Sequence, residues 1–506
     1  MSAPLLTAAL EVVDEAERAP GIPPEVRDGL TRWRMRLAEP LRLGIAGIVK
    51  AGKSTLLNAL IGERIAPTDA GECTRVVTWY RYGQTPSATM VLRSGEARRL
   101  ALTRVDGRLE FDLQGTGVHE VERIEVRWPS SSLRELVLID TPGIESATAG
   151  TSERTDAFLI RPEARPDDAD ALLYLMRHMH TADLAFLEAF ADTAAGGTRA
   201  VNAIAVLSRA DEVGAGRLDA MLSARRIAER YRTDPALRPL ALTVLPVAGL
   251  LAETARTLRE REFAAIRAVA ALERPVREGL LLSVDRFVRG GGLDVPAPQR
   301  RALVDRFGIS GLRLASALVR GGVRTSQELS ERMLEQSGLE EVRALITRSL
   351  QPRSAAFKVG ALQAALDELV PASGRPAALA DAVERLQSAA HALHDIELLA
   401  RSRTGGLGLD EAETAEAERL LGIDGVGAAE RLGLPAGAGA PALRSRAEQL
   451  LVQWRSRSES PLLTRQSARA CGQIVRVVEG VLSEIPAADC AAARSPAHVE
   501  PAGGPP

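Results

Sequence analysis

The sequence has few cysteines, almost no net charge and no long apolar run, and each absence argues against a class of protein. Its three cysteines, Cys73, Cys471 and Cys490, are too few and too scattered for a disulfide framework or a zinc site with close cysteine pairs. The formal net charge of −2 gives no sign of the basic field that nucleic-acid binding usually needs. We therefore expect a protein of a reducing, cytosolic compartment that has no nucleic-acid partner.

The apolar stretches are too short to span a membrane. The longest, from Pro239 to Ala252, falls below the roughly 20 residues of a spanning helix and contains Pro246. The N-terminal stretch Leu5 to Arg18 carries acidic residues and lacks a basic lead, so it predicts a helix rather than a signal peptide. No transmembrane segment is predicted.

A chain of 506 residues exceeds the roughly 250 to 300 residues at which single cores stop growing, so it predicts more than one domain. Between residues 41 and 262, short aliphatic runs alternate with helical patterns, which predicts a mostly parallel sheet with helices on both faces. Residues 94–114 are interpreted as an antiparallel extension at one sheet edge. The predicted strands are 42–47, 76–82, 124–128, 135–139, 171–176, 202–207 and 242–247.

Helical patterns rich in Ala, Leu, Arg and Glu replace the strand signals from residue 263 onward. We predict N-terminal helices in 1–40, an α/β domain in 41–262, a helical region in 263–486 and a disordered tail in 487–506. The N-terminal helices and the later ones are expected to feed one bundle. The predicted helices are 5–18, 23–38, 264–287, 298–319, 326–350, 354–369, 377–402, 410–421, 443–457 and 463–483.

A complete P-loop follows the first strand, with Gly47, Lys50, Ala51, Gly52, Lys53 and Ser54 in the sequence GIVKAGKS. Its backbone N–H groups would wrap the phosphates of a nucleoside triphosphate, and the helix that begins there adds positive potential. Lys53 is expected to reach the β- and γ-phosphates, Ser54 to bind Mg²⁺, and Ala51 and Thr55 to complete the nucleotide contacts.

A second motif, Asp140-Thr-Pro-Gly143, ends an apolar strand downstream of the P-loop. The Asp140 carboxylate can hold Mg²⁺ through water, and the Gly143 amide can meet the γ-phosphate. The alternative is an ordinary turn, which the preceding P-loop disfavours.

A hydroxyl residue is needed between these motifs to complete Mg²⁺ coordination in the triphosphate state. Thr74 lies in a polar loop just before a strand and is our choice for this switch threonine. Thr68 and Thr78 compete with it, and Thr78 is expected to be buried in the strand.

The identity of the nucleotide base is predicted from the motif Ser208-Arg209-Ala-Asp211, which follows another apolar strand. A carboxylate at Asp211 can accept from N1–H and the exocyclic amine of guanine, and adenine offers no such donor pair. Ser208 and Arg209 replace the usual Asn or Thr and Lys, and the Arg209 stem can lie over the base. Alternatively, Asp211 caps the next helix. Ala248 is a weaker candidate for the pocket wall.

His178 and His180 stand two residues apart after the strand that ends near residue 176. They suggest a metal pair, but no third ligand is placed near them. A polar loop is the preferred interpretation.

The order of these motifs, followed by a long helical region, resembles the bacterial dynamin-like proteins. More narrowly, IAGIVKAGKSTLLNALIG, IAPTDAGECTRVVTWYRYG, LSRADEVGAGRLDAML and LLSVDRFV resemble the actinobacterial isoniazid-inducible dynamin-like GTPases, and the similarity extends over nearly the whole chain. The resemblance implies an α/β P-loop GTPase head with GTP and Mg²⁺, and an elongated all-α neck and stalk. It also implies nucleotide-dependent pairing, as a homodimer or a hetero-oligomer with a related dynamin-like protein.

The family further implies remodelling of the cytoplasmic membrane by peripheral contact at its inner face. The loops 370–376 and 404–409 are candidates for this contact, although neither has a basic and aromatic cluster, and an ordinary solvated bundle is the alternative. Eukaryotic dynamins have Gln and Ser where this chain has Val49 and Lys50. Because guanylate-binding proteins carry an internal arginine finger in the P-loop, we predict that Lys50 is catalytic, together with Lys53, Thr74 and Gly143. The alternative is that Lys50 is a solvated loop residue or a dimer contact.

Two other functions compete with this reading. An RNA- or ribosome-associated GTPase would share the head but add a basic, strand-containing module, which the residues after 263 do not predict. A regulatory scaffold would bind GTP and barely hydrolyse it, since Ile144 stands where small GTPases place a water-positioning glutamine.

Overall fold

The computed structural model describes residues 2–20, 23–67, 76–105, 108–113, 115–142, 169–193, 201–370 and 375–486. The chain divides into two compact units, Met1–Thr404 and Gly405–Pro506. The predicted disordered tail, 487–506, lies outside the described residues, and the predicted domain boundaries at 40, 262 and 486 stay predictions.

The first unit is built on a nine-stranded sheet of order β11-β10-β9-β1-β8-β2-β7-β3-β4. Strands β8, β1, β9, β10 and β11 run parallel, β2 is antiparallel to β8, and β3 and β4 form an antiparallel edge. A separate two-stranded ribbon holds β5 and β6. The strands are β1 Leu41–Gly47, β2 Thr78–Tyr82, β3 Ser87–Leu92, β4 Ala97–Leu100, β5 Leu102–Val105, β6 Arg108–Phe111, β7 Val121–Trp128, β8 Leu136–Asp140, β9 Ala171–Met176, β10 Ala203–Ser208 and β11 Val244–Val247.

The central strands are apolar throughout because helices cover both faces of the sheet. Every residue of β1, β9 and β10 is buried, as continuous aliphatic runs in a parallel sheet require. The predicted mostly parallel sheet is confirmed. Strand β3 was not predicted, and the antiparallel extension therefore begins at Ser87 rather than at residue 94.

Helices α1 to α15 belong to the first unit. They are α1 Ser2–Arg18, α2 Pro24–Ala38, α3 Lys53–Ile61, α4 Thr181–Thr193, α5 Ala220–Arg232, α6 Gly249–Arg256, α7 Glu260–Ala271, α8 Arg274–Leu280, α9 Val284–Arg289, α10 Ala297–Arg320, α11 Ser326–Glu335, α12 Leu339–Leu345, α13 Ser354–Leu369, α14 Ala377–Ala389 and α15 His391–Arg403. Val213–Gly216 forms a short helical segment before α5, and a single π-helical turn, Ile346–Leu350, follows α12.

Four helices predicted as continuous are interrupted, so those predictions were wrong; one of them, 298–319, breaks at Gly308, which has φ 62° and ψ 173°. The stretch 264–287 divides at Pro275, which lies in the first turn of α8 because proline fits there but not in a helix interior. The stretch 326–350 breaks at Gly338, which has φ 77° and whose added Cβ would lie 2.2 Å from the Pro246 carbonyl oxygen. The stretch 377–402 breaks at Ala390, whose ψ of 39° is not helical.

The helices after residue 262 share a core with the α/β region. One buried cluster contains Leu251 of α6, Ile266 of α7, Phe287 of α9, Phe307 of α10 and Met333 of α11. Helical packing therefore continues directly from the sheet into the region that follows it.

The N-terminal helices pack against later ones, as predicted. Helix α1 buries Ala9, Val12 and Val13 completely and packs against α13 and α14. Helix α2 packs against α1 and α13. Residues from both ends of the first unit thus form one bundle.

A cluster of buried charges joins this bundle to the sheet. Asp170, just before β9, accepts from the Arg36 guanidinium of α2 at 2.8 Å and from the Arg42 backbone N–H of β1 at 3.0 Å. Lys358 of α13 donates to the Glu39 carbonyl oxygen, and burial lowers the pKa of its ammonium. Because unpaired buried charges are costly, these contacts fix how α2 and α13 meet the sheet.

The described part of the second unit, residues 405–486, holds four helices, α16 Glu411–Leu420, α17 Ala428–Leu432, α18 Ala440–Ser458 and α19 Arg465–Glu484. In the proposed membrane loop 404–409, Leu407 is buried, and the Gly406 and Gly408 carbonyls accept from Gln466 and Ser467 at the start of α19. The other candidate loop, 370–376, lies largely outside the described residues. Among the described residues, none of the helices has the length and apolarity needed to cross a bilayer.

Candidate functional site

The P-loop lies at the carboxyl end of β1, where the parallel strands bring several motifs to one sheet edge. Gly47 ends β1 with φ 146°, and a Cβ added to it would lie 2.3 Å from the Leu175 carbonyl oxygen of β9. Only glycine fits that approach. Gly52, with φ 98°, is the N-cap of α3, so the loop turns directly into the helix.

Lys53 lies over the P-loop backbone. Its Nζ donates to the Gly47 carbonyl at 3.2 Å and to the Ile48 carbonyl at 3.4 Å, and its residue is 9% exposed. Burial lowers the pKa of the Lys53 ammonium, while the Asp140 carboxylate opposes that shift. The ammonium is thus held at the mouth of the loop that would surround the phosphates.

Ser54 and Asp140 meet as predicted for a Mg²⁺ site. The Ser54 hydroxyl donates to Asp140 Oδ2 at 2.9 Å. Burial raises the pKa of Asp140 to about 6, and Lys53 and the Ser54 hydroxyl oppose this shift. Hydroxyl and carboxylate oxygens are the hard ligands that Mg²⁺ prefers, so the residues present fit the metal.

The remaining switch residues are only partly described. Thr74, its competitor Thr68 and the predicted γ-phosphate contact Gly143 lie outside the described residues. Thr78 is buried in β2 and its hydroxyl donates to the Val76 carbonyl at 3.3 Å, as expected for a strand residue. Thr141 donates from its hydroxyl to the Ile45 carbonyl at 2.9 Å, which ties the start of the Asp140 loop to β1.

The predicted base motif follows β10 and contacts the P-loop. The Ser208 hydroxyl is buried and donates to the Met176 carbonyl at 3.1 Å, so it fixes β10 to β9 instead of facing outward. The Arg209 guanidinium donates to the Lys50 carbonyl at 3.1 Å. Both Arg209, with φ 52°, and Lys50, with φ 63°, have left-handed backbones that are uncommon outside glycine.

Asp211 is engaged by a residue far along the chain. Its Oδ2 accepts from the Ser310 hydroxyl of α10 at 2.7 Å. Burial raises the pKa of the Asp211 carboxyl, and the Ser310 hydrogen bond opposes the shift. The next regular helix, α5, has Asp219 as its N-cap, so the described contacts do not favour the capping alternative.

A cavity of about 660 Å³ joins these motifs. Ala51, Gly52 and Thr55 line it from the P-loop side, and Ser208, Arg209 and Asp211 line it from the base motif. Ala248 is fully buried, and its neighbours Val247 and Gly249 form the wall in its place.

The outer wall of the cavity was not predicted. It is formed by Leu282 to Val284, between α8 and α9, and by Gly308 to Ser310 with Arg313 in α10. The only sequence signal was LLSVDRFV, which contributed to the family resemblance without an assigned role. No motif pointed to the α10 residues.

The histidine pair has the local structure of a loop before a helix. The rings of His178 and His180 lie 6.3 Å apart between centroids, and the His180 backbone N–H donates to Asp183 of α4 at 2.8 Å. Across the part of the chain that the structure describes, no group of three His, Cys, Asp or Glu residues is arranged to hold a metal.

Comparison with known proteins gives the family. The profile of the dynamin family matches residues 43–204. The isoniazid-induced protein IniC of Mycobacterium tuberculosis is 41% identical over 462 residues, which are 90% of this chain and 93% of that protein. The isoniazid-induced protein IniA of the same organism is 35% identical over 164 residues, 30% of this chain and 26% of that protein. A solved chain from an oligomerised bacterial dynamin pair aligns over 95% of this chain and 74% of its own length, with 12% identity and a TM-score of 0.32.

The chain is therefore a bacterial dynamin-like protein, with a dynamin-family domain at the sheet that carries the P-loop. The match to IniC covers nearly the full length of both proteins. Within its class, the chain belongs to the family of the isoniazid-induced protein IniC.

Proposed function

We propose that this protein binds GTP with Mg²⁺ and hydrolyses it. The observation that carries the proposal is a cavity of about 660 Å³ that the P-loop residues Ala51, Gly52 and Thr55 share with Asp211. In the same P-loop segment, the Lys53 ammonium donates to the Gly47 carbonyl and the Ser54 hydroxyl donates to Asp140. Phosphates, a divalent cation and a purine base would each find a complementary partner among these groups.

The P-loop residues would bind the triphosphate before the reaction. Backbone N–H groups between Gly47 and Ser54 would surround the phosphates, and Lys53 would compensate charge on the β- and γ-phosphates. Ser54 and Asp140 would hold Mg²⁺, with Thr74 completing the set and the Gly143 amide contacting the γ-phosphate. The cation supplies neutralisation of the phosphate charge when it is bound.

Guanine specificity would come from the base motif. The Asp211 carboxylate lines the cavity and can accept from both guanine donors, N1–H and the exocyclic amine. Arg209 is 39% exposed at its side chain and lies beside the P-loop, where its stem can cover one face of the base.

The parent protein is expected to bind GTP more tightly than ATP, and Asp211→Asn to reverse the preference toward xanthosine triphosphate. The amide replaces one acceptor with a donor, which matches the oxygen that xanthine carries in place of the guanine amine. We expect GTP affinity to fall about 10- to 50-fold in equilibrium titrations, since hydrogen bonds to a charged group are lost.

Asp219→Asn is the control for this substitution, because Asp219 is exposed, pairs with Arg217 and does not line the cavity. It should leave the affinity for GTP unchanged. Equal affinity of the parent protein for ATP and GTP would contradict guanine specificity.

The alternative functions are separable by experiment. The described residues between 263 and 486 form helices, whereas an RNA-binding module of the kind considered would need strands. Steady-state phosphate release distinguishes a GTPase from a scaffold that retains GTP. Flotation with anionic liposomes, set against salt-sensitive co-sedimentation with RNA, distinguishes a membrane partner from a nucleic-acid partner.

The proposal includes pairing of two GTPase heads across their nucleotide faces. Apolar side chains are exposed around the cavity: Val49 in the P-loop is 46% exposed and Leu282 is 60% exposed. Leu218, close to the cavity residue Gly216, is 64% exposed. A second head, of the same chain or of a related dynamin-like protein, would cover them.

Pairing is expected when the γ-phosphate is mimicked by a transition-state analogue, because the loops Cys73 to Val76 and Asp140 to Ile144 would both bind to it. Sedimentation velocity at tens of micromolar protein should then give a dimer, with the GDP-bound protein as the monomeric control. A monomer in every nucleotide state would exclude homodimer formation under these conditions.

The proposal also includes peripheral contact with a membrane. It rests on membership in the dynamin family, and the solved bacterial dynamin pair is described as sensing and tethering membranes. Remodelling of the cytoplasmic membrane from its inner face would be the work to which GTP hydrolysis is coupled.

A further inference from the structure

Helix α10 holds the loop that would read the base. The Ser310 hydroxyl donates to Asp211 Oδ2 at 2.7 Å. One turn later, the Arg313 guanidinium donates to the Ala215 carbonyl at 3.2 Å and to the Gly216 carbonyl at 3.0 Å. Two side chains of α10 therefore contact both ends of the 211–216 loop.

A break in α10 gives this helix its contact with the loop. Gly308 has φ 62° and ψ 173°, a conformation that is essentially limited to glycine. The helix resumes after it, so Ser310 and Arg313 are three residues apart and share one helical face. That face is the outer wall of the cavity.

The Asp211 carboxylate retains acceptor capacity after it has bonded to Ser310. An ionised carboxylate offers about four lone-pair sites on two oxygens. Ser310 occupies one site on Oδ2 and the carboxylate also accepts from its own backbone N–H, which leaves two of the four sites for N1–H and the exocyclic amine of guanine. The Ser310 contact is compatible with a bound base and limits rotation of the carboxylate.

We propose that Ser310 is a positioning residue for guanine recognition, which orients the Asp211 carboxylate from a helix outside the predicted GTPase region. This inference rests on the proposed function, because it specifies how the same pocket selects its base. Burial disfavours the charged form of Asp211, and the Ser310 hydrogen bond supports it.

The hydrogen bond between Ser310 and Asp211 also connects the base site to the helices after residue 262. Phe307, immediately before the break, is fully buried in the cluster that joins α6, α7, α9 and α11. Leu312, between Ser310 and Arg313, belongs to the same cluster. A base that fixes Asp211 therefore also fixes a helix whose other face lies in the shared core.

A double-mutant cycle on the full-length protein tests the role of Ser310. Ser310→Ala should weaken GTP binding about tenfold, because a hydrogen bond to a charged group is removed. ATP binding should not change, since adenine does not use Asp211. In the Asp211→Asn background, the same Ser310→Ala substitution should change GTP affinity by less than about twofold, because the group that Ser310 orients has been altered.

Ser316→Ala is the matched control. Ser316 lies in α10, is buried, and its hydroxyl donates to the Arg313 carbonyl of its own helix instead of to the loop. It should keep the parent affinity for GTP, and thermal unfolding of all variants should confirm that each is folded.

Three outcomes separate a failure of the proposed function from a failure of the inference on Ser310. If the parent does not prefer GTP to ATP, the proposed function fails. If the parent prefers GTP and Ser310→Ala binds GTP within about twofold of it, only the inference on Ser310 is overturned. A loss of GTP and ATP affinity by the same factor would also overturn it, because such a loss reports a structural role.

Discussion

Replacing Lys53 with alanine is expected to lower the affinity for GTP by roughly 10²- to 10⁴-fold, because its contacts to two charged phosphates are lost. The ammonium already lies at the P-loop, where it donates to the Gly47 and Ile48 carbonyls. Both acceptors are neutral backbone carbonyls, so loss of the ammonium breaks no ion pair among the described residues. The fold should therefore survive the substitution better than GTP binding does.

Equilibrium titration with GTP, accompanied by thermal unfolding, measures this effect. Lys50→Ala provides the internal control, since it removes the other P-loop lysine and should keep GTP affinity nearly unchanged. A folded Lys53→Ala protein that binds GTP within about threefold of the parent would show that Lys53 does not contact the phosphates.

Replacing Lys50 with alanine is expected to slow single-turnover hydrolysis by roughly 10- to 10³-fold at saturating GTP, below the 10³ to 10⁵ of a trans arginine finger. Lys50 is exposed in the P-loop, and its carbonyl is held by Arg209 at 3.1 Å. The 64 basic residues include only three lysines, Lys50, Lys53 and Lys358, so lysine at this position is unusual for the chain. A compact ammonium there can offset charge that develops on the leaving group.

The backbone at Lys50 makes alanine a clean replacement. Its φ of 63° strains any residue with a Cβ, and alanine keeps that Cβ while it removes the ammonium. Asp219→Asn, at an exposed position outside the cavity lining, is the control and should hydrolyse GTP at the parent rate. Hydrolysis by the parent should be indifferent to exchange of K⁺ for Na⁺.

Lys50 would be excluded as the catalytic charge by either of two results. One is a rate for Lys50→Ala within about twofold of the parent under saturating single-turnover conditions. The other is an absolute requirement for potassium, which would assign the compensating charge to a monovalent cation instead.

The P-loop, Asp140 and Asp211 could be predicted because each belongs to a short contiguous motif with a recognisable chemistry. Lys53 and Ser54 follow a strand that its apolar residues already predict. Asp140 ends a second such strand, and Asp211 follows a third. Since parallel strands bring their carboxyl ends to one edge, the motifs had to meet. The roles assigned to Thr74 and Gly143 stay predictions.

The outer wall of the cavity could not be predicted, because it depends on tertiary packing. Ser310 and Arg313 are ordinary helical residues until the break at Gly308 and the contact with the 211–216 loop are known. Gly338 was similarly uninformative, since glycine is tolerated inside helices and only the approach of the Pro246 carbonyl makes it a break. Ser208 lines the cavity, and the hydrogen bond from its hydroxyl to the Met176 carbonyl of β9 is likewise a tertiary contact that the sequence does not show.

The packing of α1 against α13 and α14 has a consequence for synthesis on the ribosome. The apolar face of α1, with Ala9, Val12 and Val13, emerges early, and α14 ends only at Ala389. At translation speeds of about 5 to 20 residues per second, the helix waits roughly 20 to 75 s for that partner. During this interval the apolar face of α1 is exposed on the nascent chain. Chaperone binding to α1 would protect this face until the bundle forms.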